Sequence, residues 1–291
     1  MKLHFTKMQG CGNDYIYVDT IAREYVLKDK VELAQKISDR HFGIGSDGLI
    51  LINRSKIADF EMEMYNADGS RGKMCGNGIR CVAKYVYDKG YVQKTDFTIE
   101  CMGAVKKIRV FPEGGKVKTV TVDMGEPILQ ADRIPVAIPG DSEGRVIAHE
   151  IAAGDFHAKI TCVSMGNPHA VLFSGEEGMT DFSLDLLDID RIGPCFETHE
   201  LFPERINTEF VTVLDEENVR MRVWERGSGE TLACGTGCCA TAVACILNNK
   251  TGRKVSVHVP GGTVDVLWDE KDSHIYMSGP AEIVFEGEIE I

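Results

Sequence analysis

Short runs that alternate apolar and polar residues, separated by glycine-rich turns, recur along the whole chain. NDYIYVD from Asn13, EMEMYN from Glu61, VRMRVW from Val219 and TVDVLW from Thr263 each carry the period of two that a half-buried strand requires. Asp68-Gly69, Glu113-Gly114-Gly115 and Pro260-Gly261-Gly262 mark turns between such runs. Two segments break the period. After Cys75, the residues Ile79, Val82, Ala83 and Val86 recur at helical spacing, which predicts a helix from Gly78 to Asp88 with one apolar face. After Cys234, CCATAVACIL is small and apolar on nearly all sides, which suits a helix enclosed by sheet. Many short strands with few helices make an α+β protein, not a doubly wound one.

The chain also repeats itself. MCGNGIRC from Met74 resembles ACGTGCCA from Ala233, and each places a cysteine before a Gly-x-Gly turn at the start of its helix. The offset (234 − 75 = 159) also brings Met62 onto Met221, Tyr65 onto Trp224 and Gly103 onto Gly262. Upstream, Gly12-Asn13 and Gly166-Asn167 each precede an alternating strand at an offset of 167 − 13 = 154, a difference that one small indel explains. Two structurally similar halves follow, residues 1–125 and 126–278, with a surface loop around Gly140 in the second. The final run, AEIVFEGEIEI, could pair with either half.

Composition narrows the function classes. The 291 residues are 43% hydrophobic and 26% charged, which is enough to bury a core. With 32 basic and 45 acidic residues the net charge is −13, and no basic stretch tracks a phosphate backbone, so nucleic acid is not an expected partner. No secretion signal or membrane-length apolar run is present, so the expected location is the cytosol and the ten cysteines are expected to be reduced. Most of them read as small buried hydrophobes.

Cys75 and Cys234 read differently because of their position. At a helix N-terminus, unpaired N–H groups and the helix dipole stabilise a thiolate or a nearby carboxylate, and the glycines that follow let a ligand approach the main chain. One such cysteine in each half suggests a substrate carbon held between two thiols, one removing a proton and the other supplying one to the opposite face. That arrangement inverts a stereocentre, and it demands neither cofactor nor metal. His169 and Glu225 could tune the thiols, although a lone histidine or glutamate is more often a surface or satisfied structural group. Asn66, Asn77 and Asn207 read singly as turn or cap residues, and the repeat lifts only Asn13 and Asn167 above that reading.

With GCGNDY, NADGS, MCGNGIRC, SMGNPH, FPERIN, ERGSGET and ACGTG in order over almost the whole length, the sequence resembles the diaminopimelate epimerase family. The resemblance implies cofactor-independent interconversion of LL- and meso-diaminopimelate, a step towards lysine and peptidoglycan precursors, with Cys75 and Cys234 as the catalytic pair. In one direction the cysteine at Cys234 accepts the proton and that at Cys75 donates one. Gly76, Asn77, Gly235 and Thr236 would hold the carboxylate at the reacting centre. Asn66, Asn167, Asn207 and Arg226 would recognise the distal end, and Asn13 matches a further substrate contact. His169 and Glu225 match positions thought to adjust the cysteine pKa values, Glu225 also lying near the substrate ammonium. The family's fold is two pseudo-symmetric domains, each a curved, barrel-like, mostly antiparallel sheet around a central helix, the first completed by 279–291. Homodimers are known in the family.

The sequence departs from the family pattern in GIGSDGLI, where Gly48 stands in place of a glutamine that contacts substrate in some members. The same segment satisfies G-x-G-x-x-G at Gly43, Gly45 and Gly48, yet it leads into the strand-like run LILI instead of the helix a dinucleotide site needs. Two rivals stand beside the epimerase: a metal or thiol-redox protein using Cys75, Cys81, Cys234, Cys238 and Cys239, whose spacings do not form paired knuckles, and an epimerase of another amino acid such as proline.

Overall fold

The computed structural model describes residues 1–72, 74–141 and 143–291. Its chain divides into two compact units, Met1–Asp123 with Ser278–Ile291, and Met124–Met277. The first unit opens with β1 (Lys2–Gly10) and β2 (Asn13–Asp19), followed by α1 (Lys30–Ser38), β3 (Gly48–Asn53), β4 (Phe60–Asn66), the short β5 (Arg71–Gly72) and α2 (Gly76–Asp88). Then come β6 (Asp96–Cys101), β7 (Ala104–Glu113) and β8 (Lys116–Gly125). The second unit holds β9 (His149–Ala153), β10 (Phe156–Ser164), β11 (Pro168–Phe173), α3 (Ile189–Glu197), β12 (Asn207–Val213), β13 (Asn218–Glu225), β14 (Gly229–Thr231), α4 (Gly235–Leu247), β15 (Lys254–Val259) and β16 (Gly262–Trp268). Within β17 (Ile275–Pro280) the chain passes back to the first unit, which ends with β18 (Glu282–Glu290).

The strand ladders repeat. In the first unit β1–β2 is antiparallel, β2–β3 parallel, β3–β4 and β4–β5 antiparallel, β4–β6 parallel and β6–β7 antiparallel. The second unit has the same series in β10–β11, β11–β12, β12–β13, β13–β14, β13–β15 and β15–β16. The helices fall at the same places, α1 and α3 after the second strand of the series, α2 and α4 after the fifth. β18 pairs antiparallel with β1, the position that β9 takes beside β10.

The run LILI explains how each sheet is filled. A strand between two neighbours with both faces covered reads as a continuous apolar stretch, and Gly48 to Ile52 are all buried. Leu49 and Leu51 pack with Leu33, Ala34 and Ile37 of α1, while Ile50 reaches the first turn of α2, where a Cβ on Gly78 would meet its Cδ1 at 2.8 Å. α1 starts where the Asp29 carboxylate accepts the Glu32 N–H at 2.9 Å, a cap worth about 1 kcal/mol.

Each unit encloses one helix. α2, predicted from Gly78, begins two residues earlier, is buried from Gly76 to Val86 and packs on β1, β2, β7 and β18. α4 packs on β10, β11, β12, β13, β15 and β16, and only residues as small as Gly, Ala, Thr, Val and Cys fit that enclosure on every side. On the other face of the second sheet, Phe196 of α3 meets Phe156 and Phe210 edge-on at 5.9 Å.

Arg80 is the least ordinary member of this core. Although it is 0% exposed, its guanidinium donates to the Gly76 carbonyl at 3.2 Å and the Pro280 carbonyl at 3.1 Å. It therefore ties the first turn of α2 to the segment entering β18. A Cβ on Gly10 or Gly279 would crowd it at 3.2 or 3.1 Å. The expected loop around Gly140 exposes Asp141 and Glu143 between buried Ile138 and Val146, and Ser142 within it lies outside the described residues.

Candidate functional site

Both cysteines singled out by the repeat are helix N-caps with extended backbone. The Cys75 sulfur accepts the Gly78 N–H at 3.2 Å, and the Cys234 sulfur accepts the Gly237 N–H at 3.4 Å. Each sulfur thus takes the place a serine or aspartate oxygen takes in an ordinary cap, satisfying an N–H that has no partner inside the helix. Gly76-Asn77 and Gly235-Thr236 form the first turn above them.

Around Cys75 the first unit gathers Asn13, Asp47, Gly48 and Asn66. The Cys75 thiol donates to Asn13 Oδ1 at 3.2 Å. Asn13 opens β2, and its Nδ2 donates to Asp47 Oδ2 at 2.7 Å. Gly48 pairs with Asn66 across β3 and β4, and Asn66 Nδ2 donates to Ser70 Oγ at 2.9 Å. Lys7, Asp14 and Arg40 complete a charged rim: Lys7 contacts Asp14 at 2.6 Å, and Arg40 contacts Asp14 at 2.7 Å and Asp47 at 2.9 Å. Burial raises the Asp14 pKa, but the bonds from Arg40 and Lys7 outweigh it and hold the carboxyl below its usual range. The G-x-G-x-x-G segment enters a strand here, as LILI implies.

At Gly48 the departure from the family pattern has a steric cause. A Cβ at this position would lie 2.1 Å from the Tyr65 carbonyl oxygen and 2.8 Å from the Tyr15 ring. No side chain fits without moving the main chain.

The cluster around Cys234 is richer in charge. Its thiol lies 3.4 Å from the Thr236 hydroxyl and interacts with Glu225, which also accepts the Thr231 hydroxyl. His169, fully buried, places Nδ1 at 2.6 Å from Glu209 Oε1 and Nε2 at 3.1 Å from Asn167 Oδ1. Asn207 sits beside His169 in the β11–β12 register. Its amide is committed on both ends, Nδ2 to the Pro168 carbonyl at 3.1 Å and Oδ1 to the Arg226 N–H at 2.8 Å. The Arg226 guanidinium gives one N–H to the Glu204 carbonyl at 2.7 Å. The rest of its fork has no partner among the described residues, which leaves it able to take a carboxylate.

A helix N-terminus lowers a thiol pKa, and that is the expectation from sequence. At Cys234 the opposite force is larger: burial and the carboxylates of Glu225 and Glu209 push the thiol well above its usual value, against the Thr236 hydroxyl and the Gly237 N–H. Glu225 is itself raised by burial, with the Thr231 and Cys234 bonds pulling the other way. The eight remaining cysteines form no disulfide. All but Cys195 are buried, and burial lifts Cys81, Cys101 and Cys245 to about 12.

Glu209 and Asp47 are among the residues with a part in these clusters that were not picked out from sequence. Glu209 is 0% exposed, and its Oε2 has no hydrogen-bond partner among the described residues. A Cβ on Gly237 would meet its Oε1 at 2.7 Å, so the carboxylate lies against the first turn of α4. The signal was its place two residues after Asn207 on the same strand face. Asp47 adjoins Gly48, and its signal was a carboxylate at the mouth of a wholly apolar strand.

The crystal structure of a hydroxyproline epimerase from Agrobacterium vitis has this fold, with a TM-score of 0.65 over 99% of this chain and 91% of that one, at 12% identity, so the likeness is one of fold. The sequence model of diaminopimelate epimerase matches residues 5–130 and 161–284. Diaminopimelate epimerases from Desulfovibrio desulfuricans and Methanococcus maripaludis are 54% and 52% identical to this chain, the first over 98% of each chain, the second over 99% of this one and 100% of its own. The chain belongs to the diaminopimelate epimerase family.

Proposed function

We propose that this protein interconverts LL- and meso-2,6-diaminopimelate, without a cofactor, by a two-thiol proton transfer, and so serves lysine and peptidoglycan precursor synthesis. The observation that carries this reading is the matched pair of sulfur-capped helices, one in each unit of a member of this family. In one direction the Cys234 thiolate takes the α-proton, and the Cys75 thiol gives its proton to the opposite face of the same carbon. The enzyme is left with a Cys234 thiol and a Cys75 thiolate, the state from which the reverse reaction starts. The reading requires both sulfurs to reach one carbon from its two sides.

The N–H groups of Gly76, Asn77, Gly235 and Thr236 would bind the adjacent carboxylate and stabilise the carbanion without reorganisation. A substrate ammonium beside Glu225 would offset the negative charge that holds the Cys234 pKa up, so substrate itself would help make the base. Arg226, with Asn66, Asn167 and Asn207, would select a substrate with a second acid group, and Asn13 would make a further substrate contact. On this reading the chain carries two duplicated domains, 1–125, completed by 279–291, and 126–278. The setting is the cytosol, and the enzyme works as a homodimer. Among the described residues no helix is long and apolar enough to cross a membrane.

The test is incubation with LL-diaminopimelate in deuterated water. Deuterium should enter the α-position as the meso isomer forms, and Cys75→Ala or Cys234→Ala should each lower the rate by at least about a thousandfold while thermal unfolding stays cooperative. Exchange with proline but not with diaminopimelate would overturn the substrate assignment.

A further inference from the structure

Two polar contacts of the Cys75 sulfur are of opposite sense. The Gly78 N–H, donating at 3.2 Å, favours a thiolate, whereas Asn13 Oδ1, accepting at 3.2 Å, favours a thiol. An amide can turn either end to a neighbour, so something must decide which end faces the sulfur. Asp47 does so. Its Oδ2 accepts from Asn13 Nδ2 at 2.7 Å and from the Asp14 N–H at 3.0 Å, and its Oδ1 accepts from Arg40 at 2.9 Å. Burial and the Asp14 charge raise the Asp47 pKa, against the Asp14 N–H, Asn13 and Arg40; as a carboxylate it only accepts, so the amide nitrogen must face it and the oxygen must face Cys75.

The main chain at Asp47 is pinned as well. Its N–H donates to the Asp14 carbonyl at 2.7 Å, and its carbonyl accepts the Ala67 N–H at 2.9 Å, immediately before β3.

We infer that Asp47 is a positioning residue for Cys75, orienting the Asn13 amide so that the sulfur is kept as a thiol ready to deliver its proton. On delivery the S–H bond breaks, the new C–H bond forms on the substrate carbanion, and the electron pair stays on sulfur, where the Gly78 N–H supports it. The inference deepens the function proposed above and rests on Cys75 being a proton-transfer group.

Other groups around the sulfur set the background for its titration. Tyr17 of β2, Cys81 of α2 and Cys101 of β6 all feel its charge, and burial keeps each of them neutral where a thiol ordinarily titrates. Arg80 of α2 and Lys106 of β7 act on Cys81 and Cys101 from beneath. Lys7 of β1 and Arg40 are engaged with Asp14, and Arg40 also with Asp47.

The experiment follows iodoacetamide alkylation of Cys75 against pH in the whole protein, with peptide mapping to separate it from the exposed Cys195. In Asp47→Asn the amide at position 47 can donate, Asn13 turns its NH2 to the sulfur, and the thiolate is favoured. The midpoint should fall by about one unit, making alkylation at neutral pH about tenfold faster. In an Asn13→Ala background, Asp47→Asn should have no further effect. If Asp47→Asn does not fold, Asp47→Ser carries the same expectation with a smaller shift. An unmoved midpoint, or an equal effect of the change at 47 with and without Asn13, would overturn the inference. Absence of α-deuterium incorporation by the wild-type protein would instead sink the proposed reaction, and the Cys75 titration would still be readable.

Discussion

At the scale of single residues the two thiols are not equivalent. Cys75 is half-buried, between an amide oxygen and a backbone N–H. Cys234 is 6% exposed and faces carboxylates. The sign of the carboxylate effect is testable, because Glu225 and Glu209 both push the Cys234 thiol upward. Glu225→Gln should therefore lower the Cys234 midpoint by about one unit or more, and Glu209→Gln by less, following the order of their influence on the sulfur. The difference in thiolate ultraviolet absorbance between each variant and its Cys234→Ala counterpart measures this, and a rise in midpoint would contradict it. The capping role of Cys75 and Cys234 was legible in the sequence because a helical apolar period begins directly after each. The charge around Cys234 was not. Glu209 and Glu225 reach it from strands that only the fold brings beside α4, and a carboxylate within an alternating strand carries no local mark of burial.

Among the elements, β3 shows how a strand decides what its neighbours can offer. Its residues are buried on both faces, and its first residue lies so close to the Tyr65 carbonyl that only glycine is accommodated. Restoring the family glutamine by Gly48→Gln should not add a substrate contact. It should force β3 from β4 and cost about 1–3 kcal/mol, the usual penalty of overpacking. Urea denaturation checks this: an unchanged midpoint, together with a lower KM for diaminopimelate, would show that the strand yields. The period of two identified the strands and the period near 3.6 identified α2, whose start was placed two residues late because glycine and asparagine give no apolar signal in a first turn. Arg80 was invisible for a different reason. A fully buried arginine needs carbonyls from Gly76 and Pro280, which lie far apart in sequence.

In the whole molecule, the matching order of ladders in the two units accounts for the internal repeat. Sequence offsets could align the cysteines, glycines and central strands. They could not find a counterpart for the last strand, because β9 precedes its series in the chain and β18 follows everything else. The place next to β1 is filled by a strand that comes after the whole second unit.

That placement has a consequence for synthesis. The ribosome releases β1 early but releases β18 only after the entire second unit has been made, so a growing chain must carry an incomplete first sheet, with the edge of β1 unpaired, while the other unit is already able to fold. A released chain of residues 1–277 should accordingly be cut by protease within residues 1–123 and resist it beyond, and resistance of both parts at that length would show that the closing strand is dispensable.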